Sequence, residues 1–151
     1  MTDSFQVKGA EKFLRLSKSL KIAGELDMRR ELNKALRDVT KPLIAETRAA
    51  AQDRLPKRGG LNQSVARAKQ RVQVRTGAKT AGVRIIASGA VRGANAGTVR
   101  HPVFGNRKAF VSQTVPGGWF DKTLEGSAPE VRTEIEAVLV RVERQIRERA
   151  R

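Results

Sequence analysis

GTVRHPVFGNRKAFVSQTVPGGWF, residues 97–120, is where the chain passes from strand-like to helical sequence. It holds the one Trp and the one His of the protein and no acidic residue. HPVFG and AFVSQTV, with their β-branched and aromatic residues, read as extended segments, and Pro116-Gly117-Gly118 forces a break before Trp119 and Phe120. His101 is held extended by Pro102, because a residue that precedes proline is kept out of the helical region. Phe104 offers an apolar anchor, and Gly105-Asn106 forms a favourable tight-turn pair. Trp119 and Phe120 are then expected to close the core where the last helix begins, with an interface role for Trp119 as the sharper alternative.

Working outward, the residues before this stretch also alternate. RVQVRTG places Val72 and Val74 between polar neighbours, and AGVRIIASG adds Val83, Ile85 and Ile86, with glycines bounding both runs. Two antiparallel strands follow from that pattern, and with the two extended segments downstream a sheet of about four strands is expected. GAVRGANAG, between the pairs, reads as a small, flexible, basic loop. On the far side, PEVRTEIEAVLVRVERQIRERAR puts Val131, Ile135, Val138, Val142 and Ile146 on one helical face. Pro129 suits its first turn, with Ser127 as a cap candidate.

The N-terminal part carries the helical period too. FQVKG (5–9) reads as a short strand, followed by a helix over AEKFLRLSKSLKIAG in which Phe13, Leu16, Leu20 and Ala23 share a face until Gly24 stops it. A longer helix starts at the N-cap candidate Asp27, with Glu31 nearby. Met28, Leu32, Leu36, Val39 and Leu43 form its stripe, and Leu55-Pro56 ends it. Pro42 removes the amide that would bond the Asp38 carbonyl, which predicts a kink. Beyond Leu43 the next positions are the small Thr47 and Ala50, so the second half is expected to be held less firmly. The fold class is α+β in one domain, 1–151: a long kinked N-terminal helix, the antiparallel sheet with long basic loops, and a C-terminal amphipathic helix.

Charge sets the functional field. The chain has 151 residues, with 31 Lys and Arg against 15 Asp and Glu, for a net charge of +16. Between Asp53 and Asp121 there is no acidic residue, while Lys57, Arg58, Arg67, Lys69, Arg92, Arg100, Arg107 and Lys108 all fall there as candidate interface or DNA-facing cations. Cysteine is absent, which excludes disulfides and thiolate metal sites. The N-terminus lacks the apolar run of a signal peptide, and no stretch approaches the roughly 20 apolar residues of a membrane span. A soluble intracellular product with no membrane contact is expected.

No enzyme signature emerges. His101 has no acidic residue near it in sequence, although Asp121 or Glu125 could reach it in space, and a lone His beside Pro is more often a hydrogen-bonded loop residue than a base. One His, no Cys and no clustered carboxylates in the basic middle argue against a metal centre. GANAGTVR lacks the Lys-Ser or Lys-Thr of a phosphate-gripping loop. No catalytic residue, metal or cofactor is expected. Nucleic acid is a live partner, since the acid-free window can neutralise phosphates, yet aromatics are 4% of the chain and there is no Tyr to stack on bases.

VRHPVFGNRKAFVSQTVPGGWF resembles the signature of the neck or tail-completion family of long-tailed bacteriophages (siphoviruses). In that family an Arg-His-Pro-x-Phe-Gly-Asn strand and turn leads to a Pro-Gly-Trp-Phe element that opens the last helix. The matching positions are Arg100, His101, Pro102, Phe104, Gly105, Asn106, Pro116, Gly117, Trp119 and Phe120. LPKRGGLNQSV agrees loosely, through Pro56, Lys57, Arg58, Gly59, Leu61 and Ser64, without the family's full order and spacing. The resemblance implies a structural virion protein, assembled in the host cytoplasm, that joins the head connector to the tail tube. It further implies a hexameric ring of copies of this chain, no cofactor, and neighbours consisting of a head-side connector or stopper protein and a tail terminator or tail-tube protein, with sequence-independent contact to DNA in the channel. A tail terminator of similar architecture and a basic nucleic-acid-binding protein are the alternatives.

Overall fold

The computed structural model describes residues 14–16, 18–20, 26–76, 81–103, 106–149 and 151. The strand expected over FQVKG, together with Phe13, Ala23 and the stop at Gly24, lies outside them. Leu16 and Leu20, on the helical residues 14–16 and 18–20, are buried in the main core, as their spacing predicts.

Helix α1 (Leu26–Arg54) buries Met28, Leu32, Leu36, Thr40, Leu43, Thr47 and Ala51, a stripe of three- and four-residue steps. The stripe passes through Thr40 where the sequence pointed to Val39, which is half-buried beside it. Thr40 tolerates burial because its hydroxyl donates to the Leu36 carbonyl. The buried stripe continues into the second half of α1 through Thr47 and through Ala51, where the sequence pointed to Ala50. Thr47 and Ala51 are both 0% exposed, because small side chains let neighbouring elements approach closely instead of leaving the helix uncovered. The Thr47 hydroxyl lies 2.7 Å from Gln70 Oε1 on the first strand. The helix runs through Pro42 as one element, with Pro42 and Asp38 both exposed, so water can bond the carbonyl that proline leaves without a donor.

A 3-10 turn (Arg58–Gly60) and helix α2 (Leu61–Arg67) fold back on α1. Gly59 and Gly60 both take φ of 74°, a left-handed conformation that glycine adopts without penalty. Asn62 ties the return by donating from Nδ2 to the Gln52 carbonyl at 3.2 Å.

Strands β1 (Gln70–Thr76) and β2 (Ala81–Ala87) form the expected antiparallel pair, in register from Gln70 opposite Ala87 to Thr76 opposite Ala81. Val72 faces Ile85 and Val74 faces Val83, so one face of the ribbon carries the apolar set and joins the core.

Helix α3 (Gly89–Asn95) corrects the expectation of a flexible loop over GAVRGANAG. Val91 and Ala94 are buried on one face. Gly93 is required by close packing rather than flexibility, since a Cβ there would lie 2.9 Å from the Thr98 carbonyl oxygen. Strands β3 (Thr98–Val103) and β4 (Asn106–Thr114) then pair antiparallel, with a register shift at Pro102/Val103.

The sheet also differs from expectation. Instead of one sheet of four strands there are two separate two-stranded ribbons, β1–β2 and β3–β4. Each ribbon pairs sequential strands, but α3 stands between β2 and β3 and carries the chain away from the first ribbon before the second begins.

Helix α4 (Trp119–Arg149) also departs from expectation in part. It opens at Trp119, as expected from the break before Trp119 and Phe120, whereas Pro129, expected in its first turn, lies inside it. Leu124 and Ala128 extend the buried stripe of Val131, Ile135, Val138 and Val142 upstream, and that packing outweighs the breaker signals of Gly126 and Pro129. Ser127, read as a cap, instead donates its hydroxyl to Glu46 of α1. That contact joins the early part of α4 to the late part of α1. Val138 and Val142 share a groove with Glu31 and Ala35, so the two long helices run antiparallel.

Candidate assembly interface

The signature stretch does two jobs, one at each end. At its C-terminal end it locks α4 onto α3. Asn95 Oδ1 accepts from the backbone N–H groups of Phe120 (3.0 Å) and Asp121 (3.3 Å), and its Nδ2 donates to Asp121 Oδ2 (2.8 Å). The backbone joins in: the Gly118 N–H donates to the Asn95 carbonyl at 2.7 Å, and the Val115 N–H to the Gly97 carbonyl at 2.9 Å. The first-turn donors of a helix have no partner within it, so Asn95 caps α4 from outside. Gly117 has to be glycine for this, because a Cβ would stand 2.9 Å from the Asn95 carbonyl oxygen. Gly97 (φ 92°) and Gly118 (φ 77°) take left-handed turns on either side of the lock.

Trp119 belongs to the core rather than to an interface. It is 2% exposed, with its ring edge-to-face against Phe120 at 5.8 Å between centroids. Pro116 is exposed just before the lock.

The N-terminal end of the stretch is the β3–β4 hairpin. From Thr98 to Pro102 of β3 only Val99 is buried, whereas every residue of β4 is exposed. Arg100 and Pro102 are exposed, His101 is half-buried, and Asn106 starts β4 with its Oδ1 accepting from the Lys108 N–H at 3.0 Å. Phe104 and Gly105, the expected anchor and turn, lie outside the described residues. The Arg100 guanidinium sits over the Phe110 ring, 5.1 Å from its centroid.

All eight candidate cations are exposed, but on different elements. Lys57 and Arg58 sit at the turn after α1, Arg67 at the end of α2, Lys69 just before β1, Arg92 on α3, Arg100 on β3, and Arg107 and Lys108 at the start of β4. They spread over one half of the chain instead of converging on a point. Every carboxylate among the described residues lies on α1 or α4. There, pairs such as Asp27–Arg30, Asp38–Lys41 and Glu143–Arg147 are local helix pairs with 2.8–3.6 Å between charged atoms.

The Nδ1 of His101 lies 3.3 Å from the Pro102 carbonyl, and Asp121, the distant carboxylate that could have oriented it, is engaged by Asn95. Among the described residues no group of three or more His, Cys, Asp or Glu is placed to hold a metal, and no helix is long and apolar enough to cross a membrane.

Sequence reasoning missed Asn95. It was read as one residue of a glycine-rich loop, and its role depends on a contact with residues 25 and 26 positions away that no local pattern signals. No family model, no curated protein and no solved structure matches this chain.

Proposed function

We propose that this chain is a structural protein of the phage neck, a component of a ring between capsid and tail that joins the head connector to the tail tube. The observation that carries the reading is the exposed β3–β4 hairpin, which lies within the stretch resembling the neck and tail-completion signature and presents Arg100, Arg107 and Lys108 in an acid-free half of the molecule. A structural protein needs a rigid body and a surface that recognises its neighbours. The paired helices and the Asn95 lock supply the first, and the hairpin and basic turns supply the second. In the ring, the cations face either DNA in the channel or acidic surfaces of the adjoining rings.

The test is charge reversal on exposed positions. Arg107→Glu with Lys108→Glu is expected to leave the purified domain folded, because exposed charges contribute little to stability. In the virion it is expected to give filled heads and finished tails that do not join, counted by electron microscopy. Normal virion yield from this variant, with DNA binding lost in the isolated protein, would favour a basic nucleic-acid-binding protein, for which the acid-free half is the supporting observation.

A further inference from the structure

The outer edge of β4 is open. All nine residues of the strand are exposed, and among the described residues its sheet contains no strand but β3. One row of backbone N–H and C=O groups along β4 therefore has no ladder partner among the described residues, a template for a further strand. Such edges are usually blunted by charge, proline or a bulge. Here the proline and the register shift belong to the β3 side and the tip, at Pro102/Val103. From Ala109 to Thr114 the sequence AFVSQT has no charge, no proline and no glycine, and Phe110 and Val111 are 45% and 44% exposed. A two-stranded hairpin is marginal in water by itself, so a third strand also stabilises the arm.

The chemistry of the occupant follows from charge. Arg107 and Lys108 at the start of β4 and Arg100 across the ladder are the hairpin's charged residues, and all are positive. The described residues of a second copy of this chain do not meet the requirement. Its own ribbons carry the same sign, with Arg71, Arg75 and Arg84 on β1–β2. Its carboxylates among the described residues lie on α1 and α4, where the backbone is committed to the helix.

We propose that β4 is a strand-addition site for an acidic, extended segment of another protein. Backbone pairing runs along Ala109–Thr114, and the carboxylates, all on one face of the added strand, meet the face that carries Lys108 and, across the ladder, Arg100. The Arg100–Phe110 stack leaves a cation and an aromatic face presented together, matching a strand that alternates acidic and apolar residues. The proposal rests on reading this half of the molecule as an assembly surface, and not on which assembly it serves.

The experiment uses the full chain and two synthetic peptides as long as β4. One alternates Glu with Val, and the other has the same sequence with every amide nitrogen methylated, so that it keeps all its charge but has no backbone donor. The first is expected to bind and to slow hydrogen exchange at Ala109–Thr114. The methylated peptide is expected to bind at least about tenfold more weakly, the effect of losing one or two net hydrogen bonds. Arg107→Glu with Lys108→Glu is expected to abolish binding of the first peptide without moving the unfolding midpoint. Equal affinity for the two peptides, or protection confined to other segments, would reduce the contact to charge alone and overturn strand addition. Binding of short random duplex DNA with no binding of either peptide would overturn it in favour of a phosphate-facing surface. Each of these outcomes is read on the purified chain, whereas the neck reading stands or falls on head–tail joining in virions.

Discussion

Asn95 spends its whole side chain on a helix to which it does not belong. It satisfies two first-turn amides of α4 and holds Asp121, itself placed favourably in the positive first turn. Asn95→Ala leaves those amides without a protein acceptor and is expected to destabilise the domain by about 1–2 kcal/mol in chemical denaturation, the range for a lost cap. Trp119, one turn-start away, is a different case, because its contribution is apolar area and packing rather than hydrogen bonding. The ring is 2% exposed and packs edge-to-face on Phe120. Trp119→Ala is expected to cost about 3–5 kcal/mol, as for other large buried aromatics, and an unchanged thermal midpoint would rule out the core role. The sequence shows Trp119 as a core candidate because it is the one indole beside a chain break. Asn95 has no such mark, because a cap that acts across the fold has no fixed spacing.

Both long helices contain an interior proline, and neither is ended by it. Pro42 and Pro129 are exposed, and the buried stripes continue past them through Leu43 and Thr47 in α1 and through Val131 and Ile135 in α4. Tertiary burial along the stripe outweighs the local penalty of proline, which is about 3 kcal/mol in a helix interior. Restoring the amide should then release part of that penalty. Pro129→Ala is expected to stabilise the protein by about 1–3 kcal/mol, seen as a higher midpoint in urea with an unchanged slope; a lower midpoint would show that proline's geometry is needed for the contact between α4 and α1. The same competition explains why Pro129 lies inside α4 and not in its first turn. Read locally, Gly126 and Pro129 mark a boundary, but Leu124 and Ala128 already belong to the buried face. In α3 the error has the opposite sign: glycines that look like flexibility are what allow Gly93 to approach the Thr98 carbonyl.

At the scale of the molecule, charge and architecture divide along the same line. The two antiparallel helices carry both signs in near balance, while the turn, short helices and ribbons between them carry only cations. An asymmetric field of this kind attracts polyanions without reading sequence. The chain is expected to bind random duplex DNA weakly, with no preference between sequences and with affinity falling steeply as salt rises. Salt-independent binding, measured by fluorescence anisotropy across a titration, would show that the exposed cations are not the contact. The sequence by itself determined the α+β class, the antiparallel pairing of β1 with β2, the faces of the two long helices and the acid-free window, because periodicity and charge are properties of neighbouring residues. Only the tertiary structure decided that the strands form two ribbons instead of one sheet, that α4 runs unbroken through Pro129, that Asn95 caps it and that β4 has no partner but β3 among the described residues. Each of these depends on which segments, distant along the chain, meet in space, and burial there outweighs local preference.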